Sequence, residues 1–139
     1  MTRHRSPLAA PARRWSEDEH GSTTIQMAAL MPALFLIMFT GLQAALYYDG
    51  TAVAGAAAQD GARAAAGYTG ARTGNLDTGV AMARAALDQS HGAVTGYSVT
   101  ASSTAEAATV TVTGQALSVI PGMTFPISRS ASWPWERVS

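Results

Sequence analysis

The sequence predicts an α+β protein that begins with one membrane-spanning helix. Three observations support this: a long uncharged run near the N-terminus, an Ala-rich stretch after it, and alternating apolar and polar residues in the last third of the chain. The uncharged run covers residues 22–48, and its middle is mostly apolar. Because about 20 mainly apolar helical residues cross a hydrocarbon core of about 30 Å, residues 22–48 are predicted to span a lipid bilayer once.

This span divides the chain into three parts. Residues 1–21 carry clustered charges and two prolines without apolar periodicity, which is typical of a disordered leader. Residues 49–139 have few large apolar side chains and can form only one small domain. Four arginines precede the span, whereas Arg63 is the only one in the twenty residues that follow Tyr48. The positive-inside bias therefore predicts a single-pass cell-membrane protein with a cytoplasmic N-terminus and its C-terminal domain outside.

The helical pattern continues beyond the predicted span. Residues 51–66 are rich in alanine, the strongest helix former. One long helix is therefore predicted over residues 22–66. Gly50 is the candidate point for a break, since glycine costs up to about 1 kcal/mol relative to alanine inside a helix.

A second helix is predicted after a turn-rich linker at residues 67–75. Asn75 or Asp77 can cap its start, because short polar side chains accept hydrogen bonds from the first N–H groups of a helix. Gly92 is expected to end it. Apolar residues at intervals of three and four share one face of this helix: Leu76, Val80, Ala83 and Leu87.

Three stretches near the C-terminus alternate apolar and polar residues, which predicts β-strands. They are residues 97–102, 108–113 and 125–133. Val110 and Val112 would face one way and the intervening threonines the other, as in a half-buried antiparallel sheet. Pro126 favours an edge position for the last strand. Trp133 and Trp135 would either form a docking patch or close that strand onto a small core. The predicted product is a long helix followed by a small helix and a three-stranded antiparallel sheet.

Several function classes are disfavoured by composition. Nine basic and nine acidic residues balance, and no basic run is interleaved with aromatics, so no nucleic-acid binding is predicted. The chain has no cysteine, and its three histidines are scattered, so no metal site is expected. No nucleophile elbow or phosphate-binding loop occurs. The chain is therefore predicted to be no enzyme, with no cofactor and no small-molecule substrate.

The residues that lead into the span have a characteristic order. A charged leader precedes Gly21, small residues follow, and Pro32 stands at the eleventh position after the glycine. Residues 59–66 read Gln-Asp-Gly-Ala-Arg-Ala-Ala-Ala. With the strand at 109–113 and the turn at 119–122, these segments resemble the TadE-like family, minor pseudopilins of the tight-adherence (Flp) pilus assembly system.

The resemblance implies a pseudopilin-like fold and a non-enzymatic role in pilus assembly, with other pseudopilins and pilus-assembly proteins as partners. It also implies that a prepilin-type peptidase cuts after Gly21 and leaves Ser22 as the new N-terminus. The family has an acidic residue where this chain has Gln26. An amide forms hydrogen bonds but carries no charge to pair with a neighbour's amino terminus, which favours a minor or membrane-resident role over a major fibre subunit.

Four residues within the span are candidates for helix packing and assembly. Gln26 is one, and Pro32 is either a functional kink or a proline that a membrane helix simply tolerates. Gly41 and Ala45 are four residues apart and would let a partner helix approach closely. Gln43 would either join this seam or lie near the membrane interface.

Two alternatives remain open from the sequence. The chain could be an uncleaved single-pass anchor of the cell envelope, which differs from a pseudopilin only at Gly21. It could also be a secreted small binding domain, released by a signal peptidase that cuts within residues 54–58. The apolar region of a signal peptide is usually about 7 to 15 residues, and the longer run found here disfavours secretion.

Overall fold

The computed structural model describes residues 18–67 and 74–135, which form two helices and three strands. Helix α1 is Asp18–Ala66 and helix α2 is Gly74–Gln89. The strands are β1 (Val94–Ser103), β2 (Ala107–Ala116) and β3 (Phe125–Pro134). This order confirms the predicted α+β class with a long first helix, a second helix and a three-stranded antiparallel sheet.

Two predictions fall largely outside the described residues. The predicted leader lies outside them as far as residue 17, and most of the predicted linker at residues 67–75 does so too. The chain divides into two compact units, Met1–Met38 and Phe39–Ser139. The described part of the first unit is helical, and the second unit contains the rest of α1, helix α2 and the sheet.

A stripe of small side chains on α1 forms much of the core of the second unit. Its members recur at helical spacing and are buried: Gly50, Ala54, Ala57, Ala58, Gly61, Ala62 and Ala65. A Cβ atom on Gly50 would lie 2.8 Å from Ile127 Cδ1 and 3.0 Å from the Ala93 carbonyl oxygen. Helix α1 therefore does not break at Gly50, because close packing there offsets the low helix propensity of glycine.

Helix α2 packs its predicted apolar face against the core. Ala83 and Leu87 are buried, whereas Leu76 and Val80 are half-buried against the same cluster. The helix ends at Gln89 rather than Gly92, because the chain reverses through positive φ angles at His91 (54°) and Gly92 (84°).

Both ends of α2 are fixed by polar side chains. The Ser90 hydroxyl donates to the Leu87 carbonyl at 2.6 Å at the C-terminal end. At the other end the Asn75 amide donates to the Gly67 carbonyl. Asn75 thus joins the end of α1 to the start of α2, whereas the sequence suggested it only as a cap.

The sheet has the order β1-β2-β3, with both pairs antiparallel. Val110 and Val112 of the central strand are buried, as predicted, and β3 is an edge strand, as Pro126 indicated. Strand β1 begins three residues earlier than predicted, at Val94, and its pairing with β2 is interrupted by a bulge at Gly96, whose φ is 56°. Because of the bulge, the alternation of residues that predicts a strand is interrupted in this part of the sequence.

The opposite face of the sheet carries hydroxyl groups in matched pairs. Thr109 Oγ1 and Ser132 Oγ are 2.7 Å apart, and Thr111 Oγ1 and Ser130 Oγ are 2.9 Å apart. Cross-strand pairs of this kind stabilise a sheet by about 0.2–1 kcal/mol each. The sheet is therefore apolar toward the helices and polar toward solvent.

Candidate membrane and assembly surface

Helix α1 carries a long stretch of exposed apolar side chains. Among the described residues, the helical segment Thr23–Ala66 is the candidate long and apolar enough to cross a membrane. Large side chains are exposed along it, including those of Ile25, Leu36 and Ile37. A helix that is hydrophobic on all sides is stable when lipid or protein surrounds it. This part of α1 therefore indicates a membrane anchor.

The candidate processing residues lie within the helical part of the chain. Gly21 and Ser22 belong to α1, whose described residues begin at Asp18.

The four candidate packing residues are all on exposed surface of α1. Gln26 is exposed, and the helix continues through Pro32. Gly41 and Ala45 are also exposed, and a Cβ atom on Gly41 would meet nothing within 4 Å. The structure therefore leaves all four accessible, and the spacing of Gly41 and Ala45 places them on one side of the helix.

Gln43 is the functional residue whose role the sequence did not indicate. It is only 5% exposed. Its Nε2 donates to the Leu117 carbonyl at 3.2 Å, and its Oε1 accepts from the Val119 N–H at 3.0 Å. Gln43 thus binds the loop between β2 and β3 to helix α1. The sequence alone did not indicate these hydrogen bonds.

The same loop, residues 117–124, forms an apolar groove with α1. The groove has a volume of about 400 Å³. Its lining is Thr40, Gln43, Ala44, Tyr47, Ile120, Met123 and Phe125. None of these side chains is charged, so the groove suits apolar groups.

Aromatic residues at the end of β3 contact α1 and the β1–β2 hairpin. The Arg63 guanidinium carbon lies 4.7 Å from the centroid of the Trp133 ring, a cation–π contact worth about 0.5–1 kcal/mol at an exposed site. Trp135 Nε1 donates to the Thr104 carbonyl at 2.9 Å, and Trp135 N donates to the Glu106 carbonyl at 3.0 Å. These contacts favour the interpretation that Trp135 closes β3 onto the domain, and they disfavour a docking patch as its role.

The polar groups of the second unit form structural links. The Tyr97 hydroxyl donates to the Asp88 carboxylate, which raises the pKa of Tyr97, while Arg84 acts in the opposite direction. In the described ranges 18–67 and 74–135, no group of three or more His, Cys, Asp or Glu residues could hold a metal ion.

In the part of the chain that the structure describes, these features define a small α+β protein with one candidate membrane-anchor helix. The family model described as "TadE-like protein" matches residues 21–63. The resemblance to the TadE-like family is thus confirmed over this segment, which is less than half of the chain. The match runs from Gly21 to Arg63, so α2 and the sheet lie beyond it. Neither the curated proteins nor the solved structures contain a match to this chain.

Replacing Gln43 with leucine is expected to lower the free energy of unfolding by about 1–3 kcal/mol, because the Leu117 carbonyl and the Val119 N–H lose their partner. Chemical unfolding of the detergent-solubilised chain, followed by tryptophan fluorescence, measures this change. Gln59→Leu is the matched control, since Gln59 is exposed on the same helix and its replacement should change stability by less than about 0.5 kcal/mol. Equal effects of the two variants would contradict the role of Gln43.

Proposed function

We propose that this chain is a non-enzymatic, membrane-anchored pseudopilin-like component that supports assembly of a tight-adherence (Flp-type) pilus. The observation that carries the proposal is the family match over residues 21–63, which contains both the processing junction and the anchor helix. In this proposal residues 1–21 are a cytoplasmic leader and residues 22–48 span the cell membrane. Residues 49–139 form the helical stalk and small α+β head outside.

Processing after Gly21 by a prepilin-type peptidase is part of the proposal. The family match supports it, because the match begins at Gly21, the residue after which the resemblance implies cleavage. Glycine also lowers the local helix stability by up to about 1 kcal/mol relative to alanine.

Contacts with other pseudopilins would form through α1 within the bilayer. Helices associate in lipid through close packing of small residues, and the exposed Gly41 and Ala45 offer such a surface. Gln26 would contribute a hydrogen bond to a neighbour, worth about 0.6–2 kcal/mol between membrane helices. A hydrogen bond of this strength between uncharged groups suits reversible assembly more than a permanent contact within a fibre.

The first test is the N-terminus of the protein extracted from membranes, measured by intact mass and by sequencing of the terminal peptide. A mature chain that begins at Ser22 is the expected result. Gly21→Val should abolish this cleavage, whereas Gly41→Val, a matched change later in the same helix, should leave it intact. A chain that begins near residues 55–60 would instead identify a secreted domain, and an intact leader would identify an uncleaved anchor.

The pilus role is tested separately by deleting the gene and counting pili by electron microscopy. Loss of pili, restored by the full chain, is expected. Normal pili in the deletion strain would overturn the proposed function even if Ser22 were the mature N-terminus.

A further inference from the structure

The loop between β2 and β3 exposes apolar side chains and contains no charged residue. Leu117 is 45% exposed and Met123 is 51% exposed. The chain has no charged residue between Glu106 and Arg129. The sheet face that points away from the helices is covered with hydroxyl groups. For so small a domain, the loop therefore exposes an unusual concentration of apolar surface.

The loop lies against the part of α1 where the uncharged run ends. The groove places Ile120 and Met123 beside Thr40 and Tyr47 of the helix. Tyr47 and the adjacent Tyr48 are both exposed, and tyrosine is enriched where membrane helices cross the boundary between hydrocarbon and water. The loop and this boundary are therefore at the same level along α1.

Several backbone groups of the loop form hydrogen bonds within the protein. Gln43 binds the Leu117 carbonyl and the Val119 N–H. The Ile120 N–H donates to Ser118 Oγ at 3.2 Å, and the Ile120 carbonyl accepts from the Ser118 hydroxyl at 3.0 Å and from the Met123 N–H at 3.3 Å. A loop in water can bond to solvent instead, whereas irregular backbone at membrane depth needs partners within the protein.

We propose that residues 117–124 insert into the lipid bilayer, at the boundary between headgroups and acyl chains in the leaflet where the α1 span ends. Lipid acyl chains would contact the exposed side chains of Leu117 and Met123 and fill the groove beside Tyr47. The continuity of this apolar surface with the anchor helix favours lipid over a second copy of the chain as the occupant. The inference requires α1 to span a membrane, but it does not depend on the pilus role.

Fluorescent labelling tests this placement directly, because the chain has no cysteine and a single introduced one gives a unique site. The first variant is Met123→Cys in the full chain, and its cysteine carries an environment-sensitive nitrobenzoxadiazole label. Ala105→Cys, at the exposed tip of the β1–β2 hairpin, is the matched control. Both proteins are reconstituted into vesicles of phosphatidylcholine and phosphatidylglycerol. Quenching by nitroxide-labelled lipids is compared with quenching by aqueous iodide.

The label at residue 123 is expected to emit at shorter wavelength and to be quenched several-fold more by the nitroxide lipids than the label at residue 105. It should also be several-fold less accessible to iodide. Equal iodide quenching at the two sites would overturn the proposal. Protection of residue 123 from both quenchers would also overturn it, because a protein surface and not lipid would then cover the loop. Val119→Cys provides a second loop position if labelling at residue 123 perturbs the groove.

Discussion

Replacing Gly61 with alanine is expected to lower the free energy of unfolding by about 1–3 kcal/mol, even though alanine is the better helix former. The added Cβ atom would lie 2.7 Å from the Gly79 carbonyl oxygen and 2.9 Å from Ala83 Cβ. Both groups belong to α2, and one is backbone, so neither can move without separating the two helices. The close approach of α1 and α2 therefore depends on the absence of a side chain at Gly61.

The same substitution at Gly55 provides the control. A Cβ atom on Gly55 would meet nothing within 4 Å, so Gly55→Ala should raise stability by up to about 1 kcal/mol through helix propensity alone. Chemical unfolding of both full-length variants in detergent, followed by tryptophan fluorescence, gives the two values. A gain in stability in both variants would show that helix propensity, and not helix contact, decides the outcome.

Replacing Leu87 with alanine is expected to lower the free energy of unfolding by about 2–5 kcal/mol, the usual range for a buried leucine. Leu87 is 2% exposed and is one of the three largest fully buried side chains among the described residues. Much of the surrounding core consists of alanine, whose side chain has no rotamer freedom to fill the resulting cavity. The loss should therefore fall in the upper part of the range.

Met82 lies on the exposed side of the same helix and provides the comparison. It is exposed, so Met82→Ala should change stability by less than about 0.5 kcal/mol. Thermal unfolding followed by circular dichroism distinguishes the two variants. A loss at Met82 as large as that at Leu87 would contradict the assignment of the core face of α2.

The order of the helices and strands could be predicted because its signals are local. The apolar residues of α2 recur at helical spacing, and Val110 and Val112 alternate with threonines. Each pattern repeats over a few residues and depends only on which face of the element is buried. The same reasoning located the anchor helix, since length and apolarity are enough to identify a candidate span.

The role of Gln43 could not be predicted, because its partners are 74 and 76 residues away along the chain. A glutamine near the end of a membrane span is compatible with several roles, and spacing alone does not choose among them. The role of Gly50 could not be predicted from the sequence either. Gly50 suggested a helix break from its propensity, whereas its actual role is set by contact with Ile127 on a distant strand. Both cases depend on tertiary contacts that no short-range pattern contains.

The two outer strands of the sheet make growth by strand addition unfavourable. Strand β1 has a bulge between Thr95 and Ser98, and β3 contains Pro126 and Pro134, which have no N–H group to donate. Bulges and prolines at sheet edges are features that keep proteins from polymerising through exposed backbone. Many such chains could therefore be held side by side at high local density without their sheets fusing into a continuous β-structure.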